Sequence, residues 1–278
     1  MTKVCLSVFT KPWKDISLDR LCEHVKALGF DGVEYPLREG FQIEPKEGAE
    51  GIIRLAETMN KYNLKITSIA GNIGFDMTPD GYHPDCTTKE LFEGCKYASV
   101  PIVRIMLGYD KSKGFAANFK DFKMKMDAVY PLCVKNNVTV GIQHHCGYYV
   151  FGPAELYLLV KDYDPKYIAA VWDSGHNGLS GTEPDISLDM LWDYLCMVNF
   201  KAGYYRLITG EQAREAVWKT YWTTGRHGNG SWSQAVKFLR NKRYDKTVCM
   251  TAEYSDTVKV NEYITEDIRY IKELFYGN

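Results

Sequence analysis

The chain of 278 residues lacks several features that would place it in a well-known class. Neither charge is in excess, because 34 Lys and Arg residues balance 35 Asp and Glu residues, whereas a protein that binds a phosphate backbone usually carries a clear basic excess. No apolar run approaches the ~18 residues that a membrane span needs. We therefore expect neither a nucleic acid nor a membrane as a partner.

Other absences concern cofactors and domain boundaries. The turn after the first predicted strand reads Thr10-Lys11-Pro12-Trp13-Lys14, so it has no glycine-rich dinucleotide fingerprint. The eight cysteines form no Cys-x-x-Cys pair, which argues against a zinc ribbon or a disulfide scaffold. No linker rich in Pro, Gly or Ser divides the chain, and its start reads as a strand rather than as a signal peptide. We expect one domain, residues 1–278, with reduced cysteines in the cytoplasm.

What the sequence does contain is a regular alternation of strand-like and helix-like segments. Strand-like runs lie at 3–10, 32–36, 65–71, 102–107, 138–143, 168–173, 197–201 and 248–253. Helical patterns follow each of them, and the long stretch 202–230 is predicted as a connection before the last strand–helix unit. Alternation implies parallel strands joined by right-handed crossovers. Eight such units at this length predict an α/β fold, a single (β/α)8 TIM barrel.

In such a barrel the active site lies where the strands end and the following loops begin. The predicted strand ends carry polar side chains in nearly every unit of this chain. Those residues are Glu34, Arg104, Gln143, His144, His145, Asp173, His176, Asn199, Lys201 and Glu253. Because parallel strands bring their carboxyl ends to one mouth, we expect these side chains to form one site. Adjacent residues of a strand point to opposite sides, so at most one of His144 and His145 faces that site.

The ordered motifs resemble the xylose isomerase-like barrels, the sugar (phosphate) isomerase/epimerase group that also includes endonuclease IV. The motifs that carry the resemblance are Gly29-Phe30-Asp31-Gly32-Val33-Glu34, Val103-Arg104, Gly141-Ile142-Gln143-His144-His145, Trp172-Asp173-Ser174-Gly175-His176, Asn199-Phe200-Lys201, Gly228-Asn229-Gly230-Ser231-Trp232 and Glu253. No single match is specific, but the ordered set, one for each strand end, is moderately specific. The resemblance covers essentially the whole chain.

The resemblance implies a divalent metal that polarises a sugar carbonyl and hydroxyl while carboxylates move a proton between carbons. Carried over by position, the metal ligands are Gln143, Asp173, Asn199 and Glu253. The implied catalytic residues are Glu253 as general base, His176 and His145. Substrate contacts are assigned to Glu34, Arg104, Lys201 and Arg206.

This sequence departs from that pattern at two of the four metal positions. Gln143 stands where the family has a Glu, and Asn199 stands where it has a His. Amide oxygens can bind a hard cation but carry no charge, so Mn²⁺, Mg²⁺ or Zn²⁺ is expected to bind weakly or to be lost, with Zn²⁺ the least favoured. Because Gln cannot accept a proton at neutral pH, one of the two expected bases is missing.

Three functions remain open at this point. The first is a metal-dependent isomerase, epimerase or dehydratase acting on a small sugar or sugar phosphate, in a chain that forms a homo-oligomer. The alternative is a catalytically altered barrel that binds a carbohydrate-like ligand without metal-dependent turnover. The third, DNA repair like that of endonuclease IV, fits poorly with six histidines and a net charge of −1.

Overall fold

The computed structural model describes residues 3–277, and its strands alternate with helices as the sequence predicts. The strands are β1 (Cys5–Phe9), β2 (Gly32–Pro36), β3 (Lys65–Ala70), β4 (Phe75–Thr78), β5 (Gly81–Pro84), β6 (Ile102–Ile105), β7 (Thr139–Gln143), β8 (Ile168–Asp173), β9 (Leu195–Phe200), β10 (Ala202–Leu207), β11 (Trp218–Thr223) and β12 (Thr247–Met250). Within residues 3–277, eight of them pair in parallel in the order β1-β2-β3-β6-β7-β8-β9-β12, and β12 closes on β1. The predicted (β/α)8 barrel is confirmed.

The helices surround this barrel. They are α1 (Leu18–Leu28), α2 (Gly48–Lys61), α3 (Cys86–Tyr97), α4 (Phe115–Asn136), α5 (Pro153–Val160), α6 (Ser174–Ser180), α7 (Pro184–Leu191), α8 (Trp232–Asn241) and α9 (Val260–Tyr276). The first shows how the sequence sets their ends: the Ser17 side chain accepts the Arg20 amide, and Gly29 ends the helix at φ 85°. In residues 3–277, no helix has both the length and the apolar character to cross a bilayer.

Two antiparallel hairpins interrupt the regular alternation. One pairs β4 with β5, and the other pairs β10 with β11 directly after the barrel strand β9. The sequence predicts 202–230 only as a long connection, and the structure shows that this connection contains the β10–β11 hairpin. Its strands escaped notice because most of their residues are exposed or half-buried, so they show no alternation of apolar and polar residues.

The core has two parts that together position the site. Most buried apolar side chains lie between the strands and the helices. A smaller apolar cluster fills part of the barrel interior; its members are Phe9, Ala70, Ile102, Val171, Met197 and Cys249. Buried polar side chains share that interior, among them Ser7, Glu34, Ser68, Arg104, Gln143, Asp173 and Asn199. Because these side chains are shielded from water, their charges and hydrogen-bonding groups must pair with other groups of the protein.

The Gly228-x-Gly230 turn brings the loop after the β10–β11 hairpin against the barrel. A Cβ on Gly228 would lie 2.7 Å from the Cβ of Ala202, and one on Gly230 would lie 2.4 Å from the carbonyl oxygen of Ser174. Both glycines are therefore required by close packing of this loop on the start of β10 and on α6.

Candidate active site

Most of the predicted site residues lie at the carboxyl end of the barrel. Glu34 lies on β2, Arg104 on β6, Gln143 on β7, Asp173 on β8 and Asn199 on β9. Lys201 directly follows β9, and Glu253 lies three residues after the end of β12. Strand register sets Asp173 opposite Asn199, and Asn199 opposite Cys249. Residues far apart in the sequence thus share one mouth.

A buried ion pair organises the interior of this mouth. Arg104 Nε and Nη2 donate to Glu34 Oε1 and Oε2 at 2.6 and 3.0 Å, and Ser68 Oγ donates to Glu34 Oε1 at 2.9 Å. Glu34 is 0 % exposed and Arg104 is 5 % exposed. The two residues predicted to contact substrate therefore neutralise each other inside the barrel.

Gln143 connects this ion pair to Asp173. Its Oε1 accepts from Arg104 Nη1, and its Nε2 donates to Asp173 Oδ2 at 2.7 Å. An amide suits this position because one end meets a guanidinium and the other meets a carboxylate. A glutamate here would place a second negative oxygen against Asp173, so the local contacts explain the Gln that the sequence shows.

Asp173 also begins α6. Its Oδ1 accepts the backbone N–H groups of Gly175 and His176 at 2.9 and 3.0 Å, which is the usual role of an N-terminal capping residue. Burial raises the pKa of Asp173 to about 6, although the nearby Lys201 charge opposes that rise. Both oxygens of the carboxyl group are therefore committed to contacts within the protein.

Two histidines stack at the mouth, and one peptide fixes their tautomers. His145 Nδ1 lies 2.7 Å from the carbonyl oxygen of Cys146, which can only accept, so Nδ1 carries the proton and Nε2 the lone pair. The backbone N–H of Cys146 donates to His176 Nδ1 at 3.3 Å, which leaves the proton of neutral His176 on Nε2. The ring centroids are 3.7 Å apart. An acceptor nitrogen and a donor nitrogen thus lie side by side.

Electrostatics keep both rings neutral near pH 7. Burial lowers the pKa of His145 to about 4, with Lys201 acting in the same direction. Burial also holds the pKa of His176 well below its usual range, and the charge of Lys201 lowers it further. A neutral imidazole is the form that can accept a proton at one nitrogen and donate at the other.

Glu253 forms a second charged cluster at the same mouth. Lys201 Nζ donates to its Oε2 at 2.8 Å, and Lys11 Nζ donates to its Oε1 at 2.6 Å. Burial alone would raise the pKa of Glu253, but these two ammonium groups outweigh it and lower the pKa to about 2. The preceding Ala252 has φ 50°, a left-handed conformation that is uncommon for a residue other than glycine. Glu253 is thus kept as a carboxylate by the two lysines, on a turn whose preceding residue has an uncommon backbone conformation.

Trp222 of β11 covers part of this arrangement. Lys201 Nζ lies 3.8 Å from the centroid of its ring, a cation–π contact, and the His176 ring meets it edge-on at 5.2 Å. His176 is 1 % exposed, and its Nε2 has no hydrogen-bond partner in the part of the chain that the structure describes. The rings of Trp222 and His145 thus both pack against the buried His176.

A cavity of about 460 Å³ adjoins Glu253. Its lining includes Lys11, Lys14, Trp222, Glu253 and Tyr254. That size falls in the range of roughly 300–1,000 Å³ typical of small-molecule sites. An aromatic ring, two lysines and a carboxylate give the cavity the apolar face and the polar groups that a sugar needs.

The remaining predicted residues lie elsewhere. Arg206 is exposed on β10, where its guanidinium lies 5.9 Å from the ring centroid of Tyr221. His144 is fully buried, and its Nε2 accepts the backbone N–H of Asp173 at 3.0 Å, so it joins β7 to β8. The sequence analysis did not include Lys11 or Cys146 in the site. Lys11 could have been found from its position two residues after β1, whereas the role of the Cys146 peptide has no sequence signal.

The four predicted metal ligands do not fit a divalent ion in this arrangement. Gln143 and Asp173 bind each other, and both oxygens of Glu253 already accept from ammonium groups. Of these four side chains, only the Asn199 amide is buried without a hydrogen-bond partner in the part of the chain that the structure describes. In the same range, no group of three or more His, Cys, Asp or Glu side chains is arranged to hold a metal ion. A metal here would have to displace protein cations and break several hydrogen bonds.

A buried carboxyl group outside the mouth, that of Asp267, supports the turn that carries Glu253. We expect it to make the stability of the protein depend on pH. Asp267 of α9 accepts from Tyr254 Oη and from the Gly225 amide, each at 2.7 Å, and burial raises its pKa to about 7 despite these bonds. Between about pH 4 and 7 the folded state then binds more protons than the unfolded state. We expect the free energy of unfolding contributed by this group to fall as pH rises, by up to about 1.4 kcal/mol per pH unit.

Chemical denaturation of the wild type and Asp267→Asn at several pH values measures this slope. The amide keeps an acceptor for Tyr254 but cannot titrate, so the variant should lose the part of the slope that Asp267 contributes. The exposed Asp15 provides the matched control, and Asp15→Asn should keep it. An equal slope in wild type and Asp267→Asn would contradict the prediction.

Comparison with known proteins adds the following. A family model described as xylose isomerase-like TIM barrel matches residues 22–274. A comparison with curated proteins gave no match. Among solved structures, 3-keto-D-glucoside 4-epimerase YcjR from E. coli has 12 % identity and TM-score 0.72, covering 97 % of this chain and 99 % of its own.

Two further solved structures resemble this chain to a similar degree. D-psicose 3-epimerase, determined in the presence of D-fructose, has 12 % identity and TM-score 0.70 over 100 % of both chains. The IolI protein, with a bound zinc atom, has 15 % identity and TM-score 0.72, covering 99 % of this chain and 98 % of its own. At these identities the likeness establishes the fold.

Proposed function

Because the chain belongs to the xylose isomerase-like TIM barrel family, we propose that it is an isomerase or epimerase acting on a small sugar or sugar phosphate. The observation that carries the proposal is the His145–His176 pair, in which an acceptor nitrogen and a donor nitrogen lie together at the barrel mouth. Sugar-acting epimerases among the structural neighbours support the substrate class.

The chemistry proposed for this pair is proton transfer at a carbon next to a carbonyl group. His145 Nε2 accepts the proton from carbon, and His176 Nε2–H donates a hydrogen bond to a substrate oxygen. His145 is half-buried, whereas His176 becomes accessible once Trp222 moves. Return of a proton to the opposite face of that carbon gives the epimer. Delivery of the proton to the former carbonyl carbon, with loss of the neighbouring hydroxyl proton and gain of a proton by the former carbonyl oxygen, gives the isomer.

Glu253 has a different role in this proposal from the one that the sequence predicted. With two ammonium groups on its oxygens it is a weak base, so we propose that it positions Lys201 and Lys11. Lys11 and Trp222, which line the adjoining cavity, then contact the sugar there, and Lys201 contacts it from behind the Trp222 ring. No step is routed through a metal ion, because the present contacts of Gln143, Asp173 and Glu253 do not fit one.

Deuterium exchange followed by proton NMR tests the proposal. The wild-type protein is incubated in D₂O with D-psicose, D-fructose, D-tagatose, a 3-keto-glucoside and their phosphate esters where these exist. We expect one sugar to exchange the hydrogen of a single carbon beside its carbonyl and to give an epimer or isomer as product. The measurement is the rate of signal loss at that carbon, against the same mixture without protein.

Two results would overturn this function. Absence of exchange with every sugar would argue against proton transfer, and saturable sugar binding without exchange would favour the carbohydrate-binding alternative. Endonuclease IV-like activity on abasic DNA is a third reading that the near-neutral charge disfavours. The cytoplasmic location, the absence of a nucleic-acid partner and a homo-oligomer stay predictions.

A further inference from the structure

We propose that the ammonium group of Lys201 takes the place of a metal ion in this barrel and stabilises the negative charge that develops on the sugar oxygen. The chemical part of this inference rests on the proposed function, but the charge argument rests only on contacts of the chain itself. Lys201 is 6 % exposed, and its Nζ lies 2.8 Å from Glu253 Oε2 and 3.8 Å from the Trp222 ring centroid. It is the cation held between the charged cluster and the histidine pair.

Hydrogen bonds fix the main chain of Lys201 as well as its ammonium group. Its backbone N–H donates to Ser174 Oγ at 2.9 Å, and its carbonyl accepts from that hydroxyl at 2.6 Å and from Trp232 Nε1 at 3.1 Å. A Cβ on Gly175 would lie 3.1 Å from Lys201 Cβ and Cγ, so the glycine leaves room for the side-chain stem. A group held in advance at both ends costs little reorganisation when charge develops nearby.

The charges at the mouth already balance without a further cation. The acids are Glu34, Asp173 and Glu253, and the bases are Arg104, Lys201 and Lys11. Each carboxylate accepts hydrogen bonds from the protein. A divalent ion would add two positive charges beside Lys201 and would need oxygens that are already bound. The same cluster that excludes the ion supplies a cation in its place.

The proposed step balances without an oxidant or reductant. When His145 Nε2 takes the proton from carbon, the electron pair of the C–H bond forms a carbon–carbon double bond, and the carbonyl pair moves to oxygen. Lys201 Nζ donates a hydrogen bond to that oxygen and stabilises the resulting enolate. Return of a proton to the opposite face of the same carbon restores the carbonyl group and inverts that centre. The ligand class is therefore a sugar with a carbonyl group, bound by an ammonium group rather than chelated.

Calorimetric titration with Mn²⁺ tests the charge argument without any assay of activity. Wild type should show no saturable binding at millimolar Mn²⁺. Lys201→Ala removes one positive charge and frees Glu253 Oε2, so it should bind Mn²⁺ at least about tenfold more tightly than wild type. Lys219→Ala, at an exposed lysine of β11, is the control and should behave as wild type. Stoichiometric binding to wild type that Asp173→Asn abolishes would overturn the inference, as would equal or weaker binding by Lys201→Ala.

Exchange assays test the chemical part. We expect chelator-treated wild type to keep its full rate, Lys201→Ala to lose about 10²–10³-fold, and added ethylamine to restore part of that loss. Loss of exchange on chelation, restored by Mn²⁺, would overturn the inference while leaving the proposed function standing. If no sugar exchanges with wild type, the proposed function fails, and the Mn²⁺ titration still decides the charge argument. Circular dichroism checks that Lys201→Ala is folded.

Discussion

Replacing Arg104 with Met should lower the free energy of unfolding by about 3–5 kcal/mol, the usual cost of removing one partner of a buried ion pair. Glu34 would remain inside the barrel with only Ser68 Oγ and the more distant Cys249 thiol beside it. Either its charge stays buried without a cation, or it takes up a proton, and both cost free energy. For a domain of this size the expected fall in melting temperature is roughly 6–15 °C.

Denaturant unfolding of four proteins measures this effect. Arg20→Met removes the cation of the exposed Arg20–Glu23 pair and is the matched control, with an expected loss below about 1 kcal/mol. Adding Glu34→Gln to Arg104→Met should recover a substantial part of the stability, because no charge is then left unpaired. A loss below 1 kcal/mol for Arg104→Met, or no recovery in the double variant, would contradict this account of the ion pair.

Replacing His145 with Ala should slow proton exchange by about 10²–10⁴-fold while leaving the Michaelis constant within a few-fold of wild type. The variant lacks the nitrogen that accepts the proton but keeps Lys201, Glu253 and Trp222 around the sugar. Because His145 is half-buried at the mouth, a small base can enter the space that its ring leaves. Added imidazole should therefore restore part of the rate.

The rescue separates a proton-transfer role from a structural one, since imidazole would not repair a misfolded loop. His83→Ala removes an exposed histidine of the β4–β5 hairpin and should keep the wild-type rate. A rate for His145→Ala above a tenth of wild type, or no rescue in a variant that is otherwise folded, would assign the base to another residue. Glu253→Gln would then be the next variant, because the sequence predicts Glu253 as the base.

The sequence was sufficient for the barrel and for the strand ends that carry the site. Alternating strands and helices leave few arrangements open, and the carboxyl ends of parallel strands must meet at one mouth. Gln143, Asp173 and Asn199 could be placed there from strand periodicity alone. Their orientation could not, because it depends on which partners the fold brings to each side chain.

Two contacts illustrate that limit. Lys11 and Glu253 are 242 positions apart, and no local pattern indicates that they bind each other. The Gln143 amide is oriented by Arg104 on one side and Asp173 on the other, so its role as a connector rather than a ligand emerges only in three dimensions. The position of Trp222 also depended on a hairpin whose exposed strands gave no periodic signal.

The place of Trp222 has a consequence for how fast a sugar enters. Because the indole packs on both Lys201 and the buried His176, we expect a sugar that binds these two side chains to displace the Trp222 ring first. The frequency of that movement, rather than diffusional collision, then limits association, and the observed on-rate reaches a plateau as sugar concentration increases. The same delay would act on the way out, so that under the proposed function an enolate would be held away from bulk water until the proton returned to carbon.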